Sequence, residues 1–325
     1  MPRARSVSRE ERLAIRLRGF RLGDRVFHSL TFLAAILVLA LLSGVIVSLV
    51  QGSLPALHAF GLNFIVTEVW NPVGDRFGAL AAIVGTLVTS AIAMLIGVPV
   101  SIGIAIFLTE LCPMWLRRPI AIAIELLAGI PSIIYGIWGL FVLAPFLQRT
   151  LEPWLIALFS PIPGLNLLFA GPPFGVGVFT AGLILAIMVL PFITAVTRDV
   201  FSSVPPVLKE AAYGLGCTTW EVSRQVVLPY TRVGVTGGIM LGLGRALGET
   251  MAVTFVIGNA HRLSASVLAP GTTISATIAN EFNEAVGDLY TSSLIALGLI
   301  LFVITFIVLA LARYMLMRME RRAGA

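Results

Sequence analysis

The chain has 325 residues, 58% of them hydrophobic and only 12% charged, with 22 Lys and Arg against 16 Asp and Glu. A soluble domain carries about 25% charged residues, so this chain lacks the polar side chains to clothe a water-facing surface. Disorder, a secreted disulfide scaffold and a cytosolic enzyme are thereby excluded, and an integral membrane protein remains.

In chain order, six segments reach the ~20 mostly apolar residues that a membrane helix needs. They are residues 29–50, 78–108, 119–147, 174–197, 233–258 and 290–312. The expected fold is an all-α membrane protein with six transmembrane helices. Residues 1–28 form a basic N-terminal segment, 29–50 the first span, 78–312 a core of five spans, and 313–325 a tail. Leu151–Phe159 is apolar but too short to span, and is read as an interfacial or re-entrant element. The first 25 residues are too charged for a signal peptide.

Charge fixes the expected orientation. Eight arginines precede the first span: Arg3, Arg5, Arg9, Arg12, Arg16, Arg18, Arg21 and Arg25. Arg117 and Arg118 follow the second span, Arg198, Lys209, Arg224 and Arg232 the fourth, and Arg313, Arg318, Arg321 and Arg322 the last. The opposite loops hold only Arg76, Arg149 and Arg262. Basic loops stay cytoplasmic, so both termini are expected there, and the net charge of +6 needs no nucleic acid to explain it. Cys112 and Cys217, and His28, His58 and His261, have neither disulfide nor metal-site spacing.

The stretch 201–229 between the fourth and fifth spans reads as helix, glycine, helix. Ser203 is placed to cap the first helix, with Pro205 and Pro206 in its first turn. Gly216 is placed as a left-handed stop, and Thr218 with Glu221 as a capping box for the second helix. Pro229 marks the entry to span five. The product is a rigid protrusion, serving either as packing between spans or as a docking element.

Within the fifth span, Arg245 and Glu249 stand four apart on one helix face. An arginine at the bilayer centre costs at least ~2.5–3.5 kcal/mol, so it must be paired or face water. The pair either neutralises itself or serves an anion path, in which a planar guanidinium suits phosphate or carboxylate oxygens. Gly238 with Gly242, and Gly244 with Gly248, have the spacing of close helix contacts. Glu125 is expected in an interfacial or inter-helix contact, and the polar segment 258–290 as a solvated loop or a contact for an external protein.

Glu210-Ala211-Ala212, Gly216, Val226 and Leu228-Pro229 resemble the EAA loop of binding-protein-dependent ABC importer permeases, with Val226 where isoleucine is usual. Gly244-Arg245-Ala246-Leu247-Gly248-Glu249-Thr250-Met251-Ala252-Val253 is similar to the fifth-span motif of phosphate-specific (Pst) importers, of the C type rather than the A type. Ile130-Pro131-Ser132-Ile133-Ile134-Tyr135-Gly136 resembles a further Pst segment.

The resemblance implies a type I ABC importer permease in the inner membrane, carrying inorganic phosphate and having no catalytic residue. It places Glu210, Ala211, Ala212, Gly216, Leu228 and Pro229 on a loop that grips a separate ATPase. Arg245 and Glu249 fall on charged residues of the phosphate path. Ser132, Tyr135 and Thr250 are further pathway candidates, although the preferred reading of Ser132 and Tyr135 is as satisfied hydroxyls at a kink made by Pro131. The implied partners are an A-type permease (PstA-type), an ATPase dimer (PstB-type) and a periplasmic phosphate-binding protein (PstS-type). No cofactor is expected in this chain, which has no GxxxxGK[ST]; ATP and Mg belong to the ATPase. The competing readings are an ABC permease for sulfate, molybdate or phosphonate, an ion-coupled secondary transporter, and a membrane-embedded hydrolase.

Overall fold

The computed structural model describes the backbone of residues 9–323 and the side chains of residues 23–318. Arg3 and Arg5 of the basic segment lie outside the described residues, as do the side chains of Arg9, Arg12, Arg16, Arg18, Arg21, Arg321 and Arg322. Ten helices organise the chain: α1 Arg9–Phe60, α2 Leu80–Leu111, α3 Met114–Gly129, α4 Ser132–Phe159, α5 Val178–Ser202, α6 Pro206–Gly214, α7 Thr219–Gly248, α8 Met251–Thr254, α9 Ile274–Glu281 and α10 Asp288–Ala323. Shorter helical turns lie between them, and among the described residues the extended pairing is a single bridge, Asn71 to Arg76. Among the described residues six helices are long and apolar enough to cross a membrane, namely α1, α2, α4, α5, α7 and α10.

Two compact units divide the chain, Met1–Gly52 and Ser53–Ala325. Most of α1 lies in the first, with exposed apolar side chains such as Phe32, Leu37 and Leu41. Its hydroxyls turn back onto the helix: Thr31 donates to the Phe27 carbonyl and Ser43 to that of Leu39, each at 2.8 Å. That local bonding satisfies a polar group in an apolar medium.

In the second unit α5 is the central helix. Lipid tails are as apolar as leucine, so association depends on close van der Waals packing at small residues. A Cβ added at Gly182 would lie 2.6 Å from Ile92 of α2, and one at Gly97 of α2 would lie 3.0 Å from Val189 of α5. On the other side Gly234, Gly238 and Gly242 of α7 abut Val200, Val196 and Ile193 of α5. The Gly238/Gly242 spacing therefore marks a real interface. Gly244 only approaches Leu309 of α10, and a Cβ on Gly248 would meet open space. The core at one end joins Ala93, Ile184, Leu185 and Met188 with Val253, Val256 and Ile257.

Five expectations change. The span over 119–147 is broken at Ile130 and Pro131, both extended (ψ 126° and 138°), because a residue before proline disfavours helix. The spanning helix is α4, and it absorbs Leu151–Phe159, which is no separate re-entrant element. The fifth span begins earlier, at Thr219, and ends at Gly248; Glu249 is extended (ψ 132°), so 249–258 lie beyond the helix. Pro229 sits inside α7 rather than at its entry, following a wide π turn at Ser223–Val227. Ser203 caps nothing: its hydroxyl donates to the Val200 carbonyl, and Pro205 holds the cap position of α6.

Candidate functional site

Arg245 lies in the last turn of α7, where the carbonyl-rich end of a helix favours a cation. Its Nη2 is 3.8 Å from Oε2 of Glu249, the first residue past the helix, an ion-pair distance too long for a hydrogen bond. Its Cζ stands 4.6 Å above the Phe192 ring of α5. Its Nε is buried without a hydrogen-bond partner. Glu249 is nearly enclosed, at 8% side-chain exposure, while Arg245 keeps 35%. The guanidinium is thus oriented and under-satisfied. A buried donor normally has a partner, so the Nε leaves the site incomplete by the measure of hydrogen bonding.

The other pathway candidates gather around the start of α4 and the α7–α8 turn. A Cβ on Gly136 would lie 2.8 Å from Phe255 and 3.2 Å from the Met251 carbonyl, so the two segments touch. Tyr135, within electrostatic reach of Arg245, donates its hydroxyl to the Leu127 carbonyl at 2.8 Å. That bond bridges the break at Pro131, the kink-satisfying role. Ser132 opens α4, half-buried, its hydroxyl without a partner among the described residues. Thr250 donates weakly to the Gly248 carbonyl at 3.4 Å. Phe192 was invisible to sequence reasoning: an aromatic residue in an apolar run carries no signal until a neighbouring helix brings a cation over it.

The 201–229 segment forms a second site. Val207, Leu215 and Trp220 are 70%, 86% and 63% exposed, an apolar surface ringed by polar groups of the kind that marks a protein contact. Glu210, Ala211 and Gly216 are exposed, Leu228 half-buried, and Pro229 exposed within α7. Ala212 instead packs inward with Ala105, Phe201 and Val227. Gly216 adopts φ +88° with nothing near its missing Cβ, so it serves conformation there. The expected capping box is formed, with Glu221 Oε2 2.8 Å from the Thr218 amide. Ion pairs fasten this end: Lys209 Nζ to Glu110 Oε1 at 2.6 Å, and Arg198 Nη1 to Glu125 Oε1 at 2.8 Å. Glu125 so makes the inter-helix contact expected of it. A cavity of about 400 Å³ lies between α6 and its neighbours, lined by Arg117, Arg198, Lys209, Glu210 and Tyr213.

At the opposite end of the unit, Glu281 ends α9 within an aromatic cluster. Trp70 Nε1 and Tyr290 Oη donate to its Oε2, the latter at 2.8 Å. His261 Nε2 lies 2.7 Å from Oε1, with its N–H off the line of the contact, and the imidazole stacks on Trp70 at 5.5 Å. Burial pushes the Glu281 carboxyl up, but His261, Tyr290 and Trp70 together outweigh it and hold the group below its ordinary value. Among the described residues no cluster of His, Cys, Asp and Glu could hold a metal.

Residues 97–321 match the family described as binding-protein-dependent transport system inner membrane component. The phosphate transport system permease protein PstC of Mesorhizobium japonicum is 71% identical, over 95% of this chain and 94% of that protein. The protein of the same name from Haemophilus influenzae is 58% identical over 93% and 95%. Among solved structures, a bacterial alginate ABC transporter in complex with an alginate-bound periplasmic protein is 19% identical, with a TM-score of 0.61 over 92% of this chain and 96% of that one. This likeness shows a shared fold.

Proposed function

The chain belongs to the binding-protein-dependent transport system inner membrane components, among the PstC-type permeases, and from that premise we propose how its residues serve phosphate import. It is the membrane subunit through which inorganic phosphate crosses the inner membrane, driven by ATP hydrolysed elsewhere. The distribution of basic residues supports both termini on the cytoplasmic side, with α6 facing the same compartment. The exposed apolar surface of α6 and Trp220 is the seat for an ATPase subunit, one of a pair (PstB-type) holding ATP and Mg. A PstA-type permease completes the path, and a PstS-type periplasmic protein delivers phosphate at the Glu281 end.

The observation that carries this reading is the under-satisfied guanidinium of Arg245. Phosphate oxygens accept charge-assisted hydrogen bonds at about 2.7–2.9 Å, shorter than the 3.8 Å hold of Glu249. An arriving anion therefore displaces Glu249, which recaptures Arg245 when the anion leaves. Phe192 keeps the guanidinium over its ring in both states. Ser132 offers its unpartnered hydroxyl near the entrance of α4.

The test is Arg245→Gln in the assembled importer. Charge-assisted hydrogen bonds contribute about 1.5–3 kcal/mol, so phosphate uptake should fall by tenfold or more while the complex still co-purifies. Uptake at the parent rate would reduce the pair to a structural bridge.

A further inference from the structure

A helix joined only at its two ends can pivot about the line between them. α6 comes near to this: nine residues, entered through Pro205 and left through Leu215 and the left-handed Gly216, with little packing between. It buries one side chain, the small Ala212. Its remaining directional attachment is Lys209, whose Nζ lies 2.6 Å from Oε1 of Glu110. That pair is well shielded, with 5% side-chain exposure at Glu110 and 19% at Lys209. Glu110 sits in a π turn, Phe107–Leu111, that widens the last turn of α2.

α2 is seated along its middle and at the end remote from Glu110. Ser101 Oγ donates to the Leu190 carbonyl of α5, and Gly97 lies against Val189, so the helix is seated along its neighbour. At the far end Thr86 Oγ1 accepts the Ile274 amide at 3.0 Å, and a Cβ on Gly85 would coincide with the Thr272 carbonyl oxygen, 1.8 Å away. Helical rise of about 1.5 Å per residue puts Thr86 roughly 36 Å from Glu110.

We propose that the Glu110–Lys209 ion pair is the third fixing point that makes α6 a rigid lever, delivering its displacement to the end of α2 and along α2 to the 258–273 segment. Glu110 and Lys209 are positioning residues in this scheme. Replacing both charges of a buried pair often leaves stability unchanged, whereas removing one strands the other. The double change Glu110→Gln with Lys209→Met therefore separates holding the fold from transmitting motion.

The inference rests on the ATP-driven import reading, so the experiment carries its own control. The complete importer, reconstituted with its ATPase and binding protein, is measured for phosphate taken up per ATP hydrolysed. A parent complex with no ATP-dependent uptake would sink the import reading, separately from the lever. In the double-neutral complex, ATPase binding and hydrolysis persist and the ratio falls at least about fivefold. The swap Glu110→Lys with Lys209→Glu recovers at least half of the parent ratio. A double-neutral complex at the parent ratio overturns the lever. So does a swapped complex that assembles yet stays uncoupled.

Discussion

At the residue scale, Arg245 is a charge held without being fully satisfied. Arg245 and Glu249 were legible because ionisable residues stand out in an apolar run, and their spacing held although the helix ends between them. Phe192 was not legible, since its role depends on α5 and α7 crossing at that height. Phe192→Leu keeps the bulk but removes the ring face, a contact of about 0.5–2 kcal/mol when desolvated. Phosphate uptake should lose several-fold, and Phe192→Tyr should restore it; equal rates in all three chains would leave the ring as mere packing. Glu281 makes a pH prediction. Its native carboxyl is depressed, so its stabilisation is present above the unfolded carboxylate value of about 4.3 and is lost as pH falls through the native value. Glu281→Gln should cost about 1–3 kcal/mol at neutral pH, and its melting deficit should shrink in acid. A deficit independent of pH would assign the loss to packing alone.

At the element scale, prolines redraw the helices. Each π turn ends two residues before a proline: Phe107–Leu111 before Pro113, Gly139–Leu143 before Pro145, Leu147–Leu151 before Pro153, and Ser223–Val227 before Pro229. A proline lacks an N–H and crowds the carbonyl four residues back, and a wider turn moves that carbonyl aside. Helix and proline can thus coexist in α4 and α7, while Pro131, with its preceding residue extended, ends α3 outright. The sequence shows every proline but not which outcome each takes, because that depends on neighbouring helices. Glycines sort more simply. Gly242→Leu should prevent stable accumulation, its Cβ lying 2.7 Å from Ile193, whereas Gly248→Ala should be tolerated. Equal membrane levels of the two variants would contradict the packing of α7 on α5. On the proposed docking surface, Leu215→Asp touches no core and should leave insertion intact while removing ATPase co-purification.

At the scale of the whole molecule, six apolar helices and the loop of small residues between two of them were legible from hydropathy and capping chemistry alone. Helix boundaries were not, where Pro131 and Glu249 interrupt runs that look continuous. The choice of phosphate among oxyanions came from motif resemblance, now matched by close relatives, since one guanidinium suits many anions. The most direct test is uptake of radiolabelled phosphate into proteoliposomes holding this chain with its partner permease, ATPase and binding protein, with sulfate and phosphonate as competitors. Uptake should require ATP on the ATPase side and be displaced by unlabelled phosphate alone. Uptake that sulfate or phosphonate displaces equally, or that an ion gradient drives without ATP, would contradict the account.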